Sequence, residues 1–199
     1  MSDEIYELLV YEEAKNICVA SLSPAIKEKT ITINGVSKAY AMTGWRIGYA
    51  LGPAHIIKGM TDYQGNTTTS PNTPAQYASM EALANSRESV EMMRAEFDRR
   101  RKYIIEKINA MEHLSCSTPK GAFYVMPNVS HYYGSQYNGI MINNSLDLAN
   151  YQLEEANIAV VTEAAFEAPD HIRISYSNSM ENIEKGMNRL EEALSKLNP

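Results

Sequence analysis

Cysteine is scarce in this chain of 199 residues: there are two, Cys18 and Cys116, far apart and in no spacing that a zinc site or a redox pair uses. That excludes a disulfide scaffold and leads us to expect a reducing, cytoplasmic setting. A run of about 18 apolar residues, the least that spans a bilayer, does not occur, and the start is not signal-like, so neither membrane insertion nor export is expected. Positive charge is in deficit. With 18 Lys and Arg against 24 Asp and Glu, the net charge is -6 and is spread along the chain, which argues against nucleic acid or an acidic membrane as partner. His55, His113, His131 and His171 share no ligand spacing, and no zinc, Walker or nucleophile-elbow pattern occurs, so no metal is expected. Internal repeats and low-complexity tracts are missing as well.

What remains is the composition of a globular protein, 44% apolar and 21% charged, with enough length for one large domain or one and a half small ones. Residues 3–11 read as an opening strand and 12–26 as a polar connection with turn chemistry at Ser21-Leu22-Ser23-Pro24. The alternation of Ile31 and Ile33 with Thr30 and Thr32 predicts a strand to Val36, and 46–51 the next. Helices are predicted over 53–63 and 74–84, with 65–71 a loop between them because it is rich in β-branched and capping residues. Val90, Met93, Phe97, Ile104, Ile108 and Met111 form one apolar stripe along a long helix over 86–111. On that helix Arg99-Arg100-Arg101-Lys102 reads as a solvated face.

Further on, 115–117 and 121–126 read as short strands and 128–144 as a polar loop. Ser145 is expected to cap a helix to Glu155, with Asp147 in its first turn. Strands over 159–161 and 172–176 follow, then a last helix capped by Ser179 with Met180, Ile183, Met187, Leu190, Leu194 and Leu197 on one face.

One stretch carries chemistry. In Asn34 to Ala50, Lys38 falls in the connection between two predicted strands, with Arg46 beyond a Gly-containing turn. An enclosed lysine amine is a nucleophile for carbonyl groups, an exposed one is merely solvated. On spacing alone Arg46 is as readily a surface arginine at a strand end. Arg173, opposite in face to Ile172 and Ile174, reads by pattern as a solvated strand residue, and Asp3 as a terminal surface aspartate.

The segment Ser37-Lys38 through Met42-Thr43-Gly44-Trp45-Arg46-Ile47-Gly48-Tyr49, together with Asp3-Glu4-Ile5-Tyr6-Glu7 and Arg173-Ile174-Ser175-Tyr176, resembles the cofactor-lysine signature and flanking motifs of the aspartate aminotransferase family. That family is of fold-type I, class I/II, and depends on pyridoxal 5'-phosphate. The resemblance implies that Lys38 carries the cofactor covalently and acts as the catalytic base, that Asp3 faces its pyridine nitrogen, that Tyr6 donates to its ring oxygen, and that Ser37 and Arg46 bind its phosphate. Arg173 is implied as the clamp for a substrate carboxylate. Residues three apart point to opposite faces of a regular strand, so Asp3 and Tyr6 can serve one ring only if the strand bends at Glu4 or Ile5.

The implied fold class is α/β. It comprises a partial large domain, the remaining strands of a mixed, mostly parallel sheet with helices, and an α+β C-terminal small domain. We expect residues 1–85 to be the remnant of the cofactor-binding large domain, 86–112 a connecting helix and 113–199 the small domain. The motif order matches about the second half of a typical family member, so the chain is expected to be a fragment. In the family, a Gly-containing loop and a helix N-terminus from the first half cradle the phosphate, so weak cofactor binding by this chain alone is expected.

The implied activity is transamination of an amino acid with a 2-oxo acid, aspartate/aromatic aminotransferase-like, in a homodimer. The alternatives are a non-catalytic dimerising fragment and a related lyase or decarboxylase; Trp45 favours the transaminase branch. The chain departs from the family at Val161-Thr162-Glu163-Ala164-Ala165-Phe166-Glu167, where members commonly carry a Pro-Gly turn and a Phe-Gly pair. Loss of glycine removes easy access to positive φ, so a different loop path is expected there.

Overall fold

The computed structural model describes residues 1–197; the last two positions of the expected small domain, Asn198 and Pro199, lie outside them. The chain forms two compact units, Met1–Ala95 and Glu96–Pro199.

The first unit is built on a three-stranded sheet. Strand β1 (Ser2–Asp3) pairs in parallel with β2 (Thr32–Gly35), which pairs antiparallel with β3 (Gly48–Leu51). The sheet is mixed, but one of its two pairings is antiparallel, so within it parallel pairing is not the majority. Between β1 and β2 lies a short helical turn, α1 (Pro24–Lys27), with Ser23 capping it and Pro24 at its first position, where a missing N–H costs nothing.

Strand β1 is shorter than 3–11 predicted: Asp3 Oδ1 accepts from the Ile5 amide at 3.1 Å, and a turn follows over 5–8. A side chain that offers the backbone a local acceptor ends a strand in this way. Beyond the turn, Leu9 and Tyr11 are fully buried with Val36, Ala39, Ala75, Ala82 and Val90 as the apolar interior of this unit. Strands β2 and β3 approach closely at Gly35, where a Cβ would lie 2.8 Å from the Ile47 carbonyl oxygen; only glycine fits.

Helix α2 (Ala54–Thr67) runs past the predicted end at Tyr63. Polar side chains bond back into it: Thr61 donates to the Ile57 carbonyl and, in the stretch expected to break the helix, Asn66 to that of Asp62 and Thr67 to that of Tyr63. Helix α3 (Thr73–Asn85) starts at an Asn72 cap, and α4 (Arg87–Ala110) is the long helix with the expected apolar stripe, Val90, Ile104 and Ile108 being buried.

The basic run on α4 is not all solvated. Arg101 is 1% exposed, pairs with Asp98 at 2.7 Å and donates to the Pro119 carbonyl at 2.9 Å. Its Asp98 partner lies one turn away, the spacing that folds an arginine along its own helix.

In the second unit β4 (Tyr124–Val125) and β7 (Val161–Thr162) flank β8 (Ile172–Ser175), both pairings antiparallel. The segment read as a polar loop contains a hairpin, β5 (Gln136–Tyr137) and β6 (Ile140–Met141), turning through Asn138 and Gly139 at φ 48° and 84°. Asn-Gly is the commonest signal for that turn.

Helix α5 (Ser145–Ala156) is capped by Asn144 rather than Ser145: the Asn144 side chain accepts from the Leu146 and Asp147 amides, while Ser145 Oγ lies 2.6 Å from Thr162 Oγ1. Helix α6 (Met180–Ser195) has its Ser179 cap and buries Ile183, Met187, Leu190 and Leu194. Among the described residues no helix is long and apolar enough to cross a membrane, and no three His, Cys, Asp or Glu side chains converge as metal ligands.

Candidate functional site

Five of the six predicted residues meet at one end of the first unit's sheet, and for four of them the register explains why. Asp3 ends β1 opposite Ile33, and the turn 37–40 follows directly on β2, so Asp3, Ser37 and Lys38 share the C-terminal edge of a parallel pair. That edge is where α/β sheets bind ligands. Gly35 faces Gly48 in the antiparallel pair, which puts Arg46, just ahead of β3, at the same edge.

Tyr6 reaches it by the turn that ends β1. Lys38 Nζ stands 5.6 Å from the centroid of the Tyr6 ring, and both side chains are half-buried. The chain bends between Asp3 and Tyr6, as a shared ring would require.

Arg46 is exposed, at φ 57°, and its Nη1 donates to the Thr43 carbonyl at 3.1 Å. With Trp45 and Gly44 it lines a cavity of about 460 Å³ whose other residues are Pro71, Asn72 and Ala75. Asp3 is exposed and Ser37 half-buried.

Behind the lysine turn lies a polar cluster that the sequence reading passed over. Asn34, buried on β2, donates to Glu7 Oε1 at 2.6 Å and accepts from the Gly35 amide at 2.7 Å. The Tyr40 and Tyr49 phenols are both raised above their usual pKa, by burial and then by the Glu7 charge, so they remain donors at neutral pH. The cue was there: Glu7 sits one residue past Tyr6, on a turn that already faces β2.

The donor set at this edge, an amine, a carboxylate, a phenol, a hydroxyl and a guanidinium, fits a small anionic aromatic aldehyde with a ring nitrogen. No buried side chain blocks the approach to Asp3 or Arg46, which are both open to solvent.

Arg173 belongs to the second unit. It sits on β8 opposite Val161, with its guanidinium carbon 4.9 Å from the Tyr124 ring centroid and 5.3 Å from that of Phe166. Its Nε is 3.1 Å from Glu163 Oε1, an ion pair between a side chain 28% exposed and one 4% exposed. The N–H is not aimed at that oxygen, which has no hydrogen-bond partner, so the attraction is one of charge.

Glu163 was visible in the sequence only as a departure from glycine. Its role as a partner of Arg173 follows from the strand pairing. The 162–168 loop contains a helical turn at Ala164–Phe166, and Glu167 takes φ 64°, so the left-handed conformation expected to be lost with glycine is reached here by a glutamate.

With this geometry, comparison with known proteins is informative. Residues 1–190 match the family of aminotransferase class I and II. The chain is 43% identical over 190 residues to an aspartate aminotransferase of Geobacillus stearothermophilus, covering 96% of this chain and 47% of that protein. It is 44% identical over 192 residues to that of Bacillus sp. (strain YM-2), covering 96% and 48%.

Among solved structures, the aspartate aminotransferase from Rhizobium meliloti superposes with a TM-score of 0.92 at 38% identity, over 98% of this chain and 49% of that one. The aromatic aminotransferase from Pyrococcus horikoshii OT3 gives 0.88 at 39%, over 98% and 50%. The chain belongs to the class I and II aminotransferases, in the aspartate aminotransferase family, and has the α/β aminotransferase fold over the part it spans. It spans about half the length of the curated relatives it matches.

Proposed function

We propose that this chain carries the lysine-bearing half of a pyridoxal 5'-phosphate dependent aminotransferase that exchanges an amino group between an amino acid and a 2-oxo acid, in an aspartate/aromatic aminotransferase-like reaction. The observation that carries this reading is the position of Lys38, in the turn at the C-terminal edge of β2 with its amine over Tyr6, on the edge shared with Asp3 and Arg46. We assign residues 1–85 to the cofactor-binding domain, 86–112 to a connecting helix and 113–199 to the small domain, and the whole protein to a cytoplasmic homodimer.

When bound, the cofactor supplies an electron sink for the charge left at a substrate carbon that loses its proton. The chain's own residues hold and steer. Lys38 fixes the cofactor through its amine and, as catalytic base, takes and returns the proton at the substrate Cα. The Asp3 carboxylate keeps the ring nitrogen protonated, and the Tyr6 hydroxyl donates to the ring oxygen. Arg46 offers a forked donor to phosphate, with the Ser37 hydroxyl beside Lys38 as a second donor. Arg173 binds the substrate carboxylate.

The test is incubation of the chain with excess pyridoxal 5'-phosphate, borohydride reduction and peptide mass mapping. A single adduct on the Lys38 peptide, lost in Lys38→Ala, is expected; label spread over surface lysines, or none, would overturn cofactor capture at Lys38 by this chain while leaving its family membership untouched.

A second reading has its own support. Helix α2 buries none of its residues, and α2 and α3 expose Met60, Tyr63, Tyr77, Met80 and Leu83. A non-catalytic dimerising fragment would cover such a surface. Light scattering over a concentration series tests it, since a monomer at high concentration contradicts it.

A further inference from the structure

Arg173 already holds a carboxylate. Glu163 is 3% exposed, and its main chain is tied down on both sides: its amide donates to the His171 carbonyl, and its own carbonyl accepts from the Phe166 and Ala168 amides. The main chain at Glu163 is thus anchored with the side chain in the interior.

Burying a carboxylate without hydrogen-bond donors is costly unless a cation compensates it. Glu163 Oε1 has no such donor, and Arg173 Nε stands 3.1 Å away. Tyr124 and Phe166, within 4.9 and 5.3 Å, hold the guanidinium in place. Arg173 remains 28% exposed, so water and ligands reach it from the other side. A guanidinium presents five N–H donors; the Nε side faces Glu163 and the remaining ones are available to a ligand.

We propose that Glu163 is a specificity-determining residue, an internal competitor that offsets the Arg173 charge and makes the site select against ligands whose only anchor is a carboxylate. Glu163 and an incoming carboxylate bind one guanidinium from two sides, and their mutual repulsion in a partly desolvated place lowers affinity. A ligand must therefore bring further contacts, or a group that is not anionic, to bind well. This distinguishes the chain from the family pattern, in which glycine commonly occupies that stretch. The inference rests on the assignment of Arg173 to the ligand carboxylate.

The experiment is an NMR titration of the 199-residue chain with pyruvate, with its neutral amide as control, following the Arg173 Nε–H resonance in the parent, Glu163→Gln and Glu163→Gly. Both variants are expected to bind pyruvate about tenfold more tightly than the parent, a coupling of ordinary size between two ligands of one group. The amide is expected to bind all three alike.

Equal pyruvate affinity in parent and variants would overturn the inference while leaving Arg173 as a carboxylate site. Binding that persists in Arg173→Met, or that is missing from every protein, would overturn the assignment of Arg173 and the inference with it. Glu163→Gly removes the side chain altogether, so a packing fault peculiar to glutamine would show as disagreement between the two variants and count against the proposal.

Discussion

The amine of Lys38 stands 5.6 Å from the centroid of the Tyr6 ring, although the two residues are on different elements. Tyr6 arrives there because β1 stops at Asp3 and turns, and Lys38 because β2 ends just before it. A cation over an aromatic face gains about 0.5–1 kcal/mol.

Tyr6 therefore has two separable contributions, a ring beneath the amine and a hydroxyl. Tyr6→Phe keeps the first and Tyr6→Leu loses both. We expect both variants to lower the yield of borohydride-trapped Lys38 adduct, and the leucine variant to lie a further two- to fivefold, roughly, below the phenylalanine one. Equal yields in the two variants would mean that the ring contributes nothing to placing the amine.

Arg101 is buried on the face of α4 that carries Phe97, Ile104 and Ile108, while Arg99 and Lys102 of the same basic run are exposed. Replacing it with methionine keeps the aliphatic stem but strips Asp98 of one cation and the Pro119 carbonyl of its donor. Breaking a buried pair on one side costs about 3–5 kcal/mol, and Asp98 keeps Lys102 at 2.7 Å, so the low end, about 3 kcal/mol, is expected. Urea denaturation should show the midpoint fall with the slope unchanged.

The cap of α5 gives a test at two adjacent positions. Asn144→Ala removes the acceptor for two amides and should cost about 1 kcal/mol, with Asn144→Asp recovering most of it. Ser145→Ala removes contacts with Thr162 and Tyr133, neither of which caps the helix, and should leave the helix start intact. Amide hydrogen exchange at Leu146 and Asp147 distinguishes the two: it accelerates in the first variant and not in the second.

Acid should loosen the middle of α4. Hydrogen bonds from Arg99 and then Arg100 hold Glu96 down from 4.5 to about 2. At Asp98 burial works to raise the pKa, but Lys102 and Arg101 outweigh it and the net shift is downward. Groups whose folded pKa is depressed stabilise the protein above their unfolded pKa and lose that contribution as pH falls towards the folded one. The melting temperature should therefore decline between about pH 4.5 and pH 2, and Glu96→Gln should make that decline shallower. A melting curve that is insensitive to acid in this range would show that exposed pairing at Glu96 is fully screened.

Much of the fold was legible because it is periodic. The stripe on α4, the Ser179 cap and face of α6, and the strands on either side of Lys38 follow from local spacing, and the family resemblance from a contiguous motif, Ser37 to Tyr49. What misled was local in another way. The Thr- and Asn-rich end of α2 reads as a breaker by propensity, but its side chains return their hydrogen bonds to the helix. Ser145 has the right residue type for a cap, but Asn144 stands one place earlier with a better acceptor. The Asn138-Gly139 hairpin was readable from its turn and was passed over among polar residues.

By itself the sequence determined the family and the order of most elements, and it singled out Lys38 and Arg46 as candidates, because each is written in neighbouring residues. Only the tertiary structure decided which side chains meet. It brought Tyr6 under Lys38, buried Arg101 in a run of charges, and set Glu163 against Arg173. These are contacts between residues distant in sequence or on unlike faces, and they depend on strand register and on where each turn ends, quantities fixed by packing and by backbone hydrogen bonds across the fold.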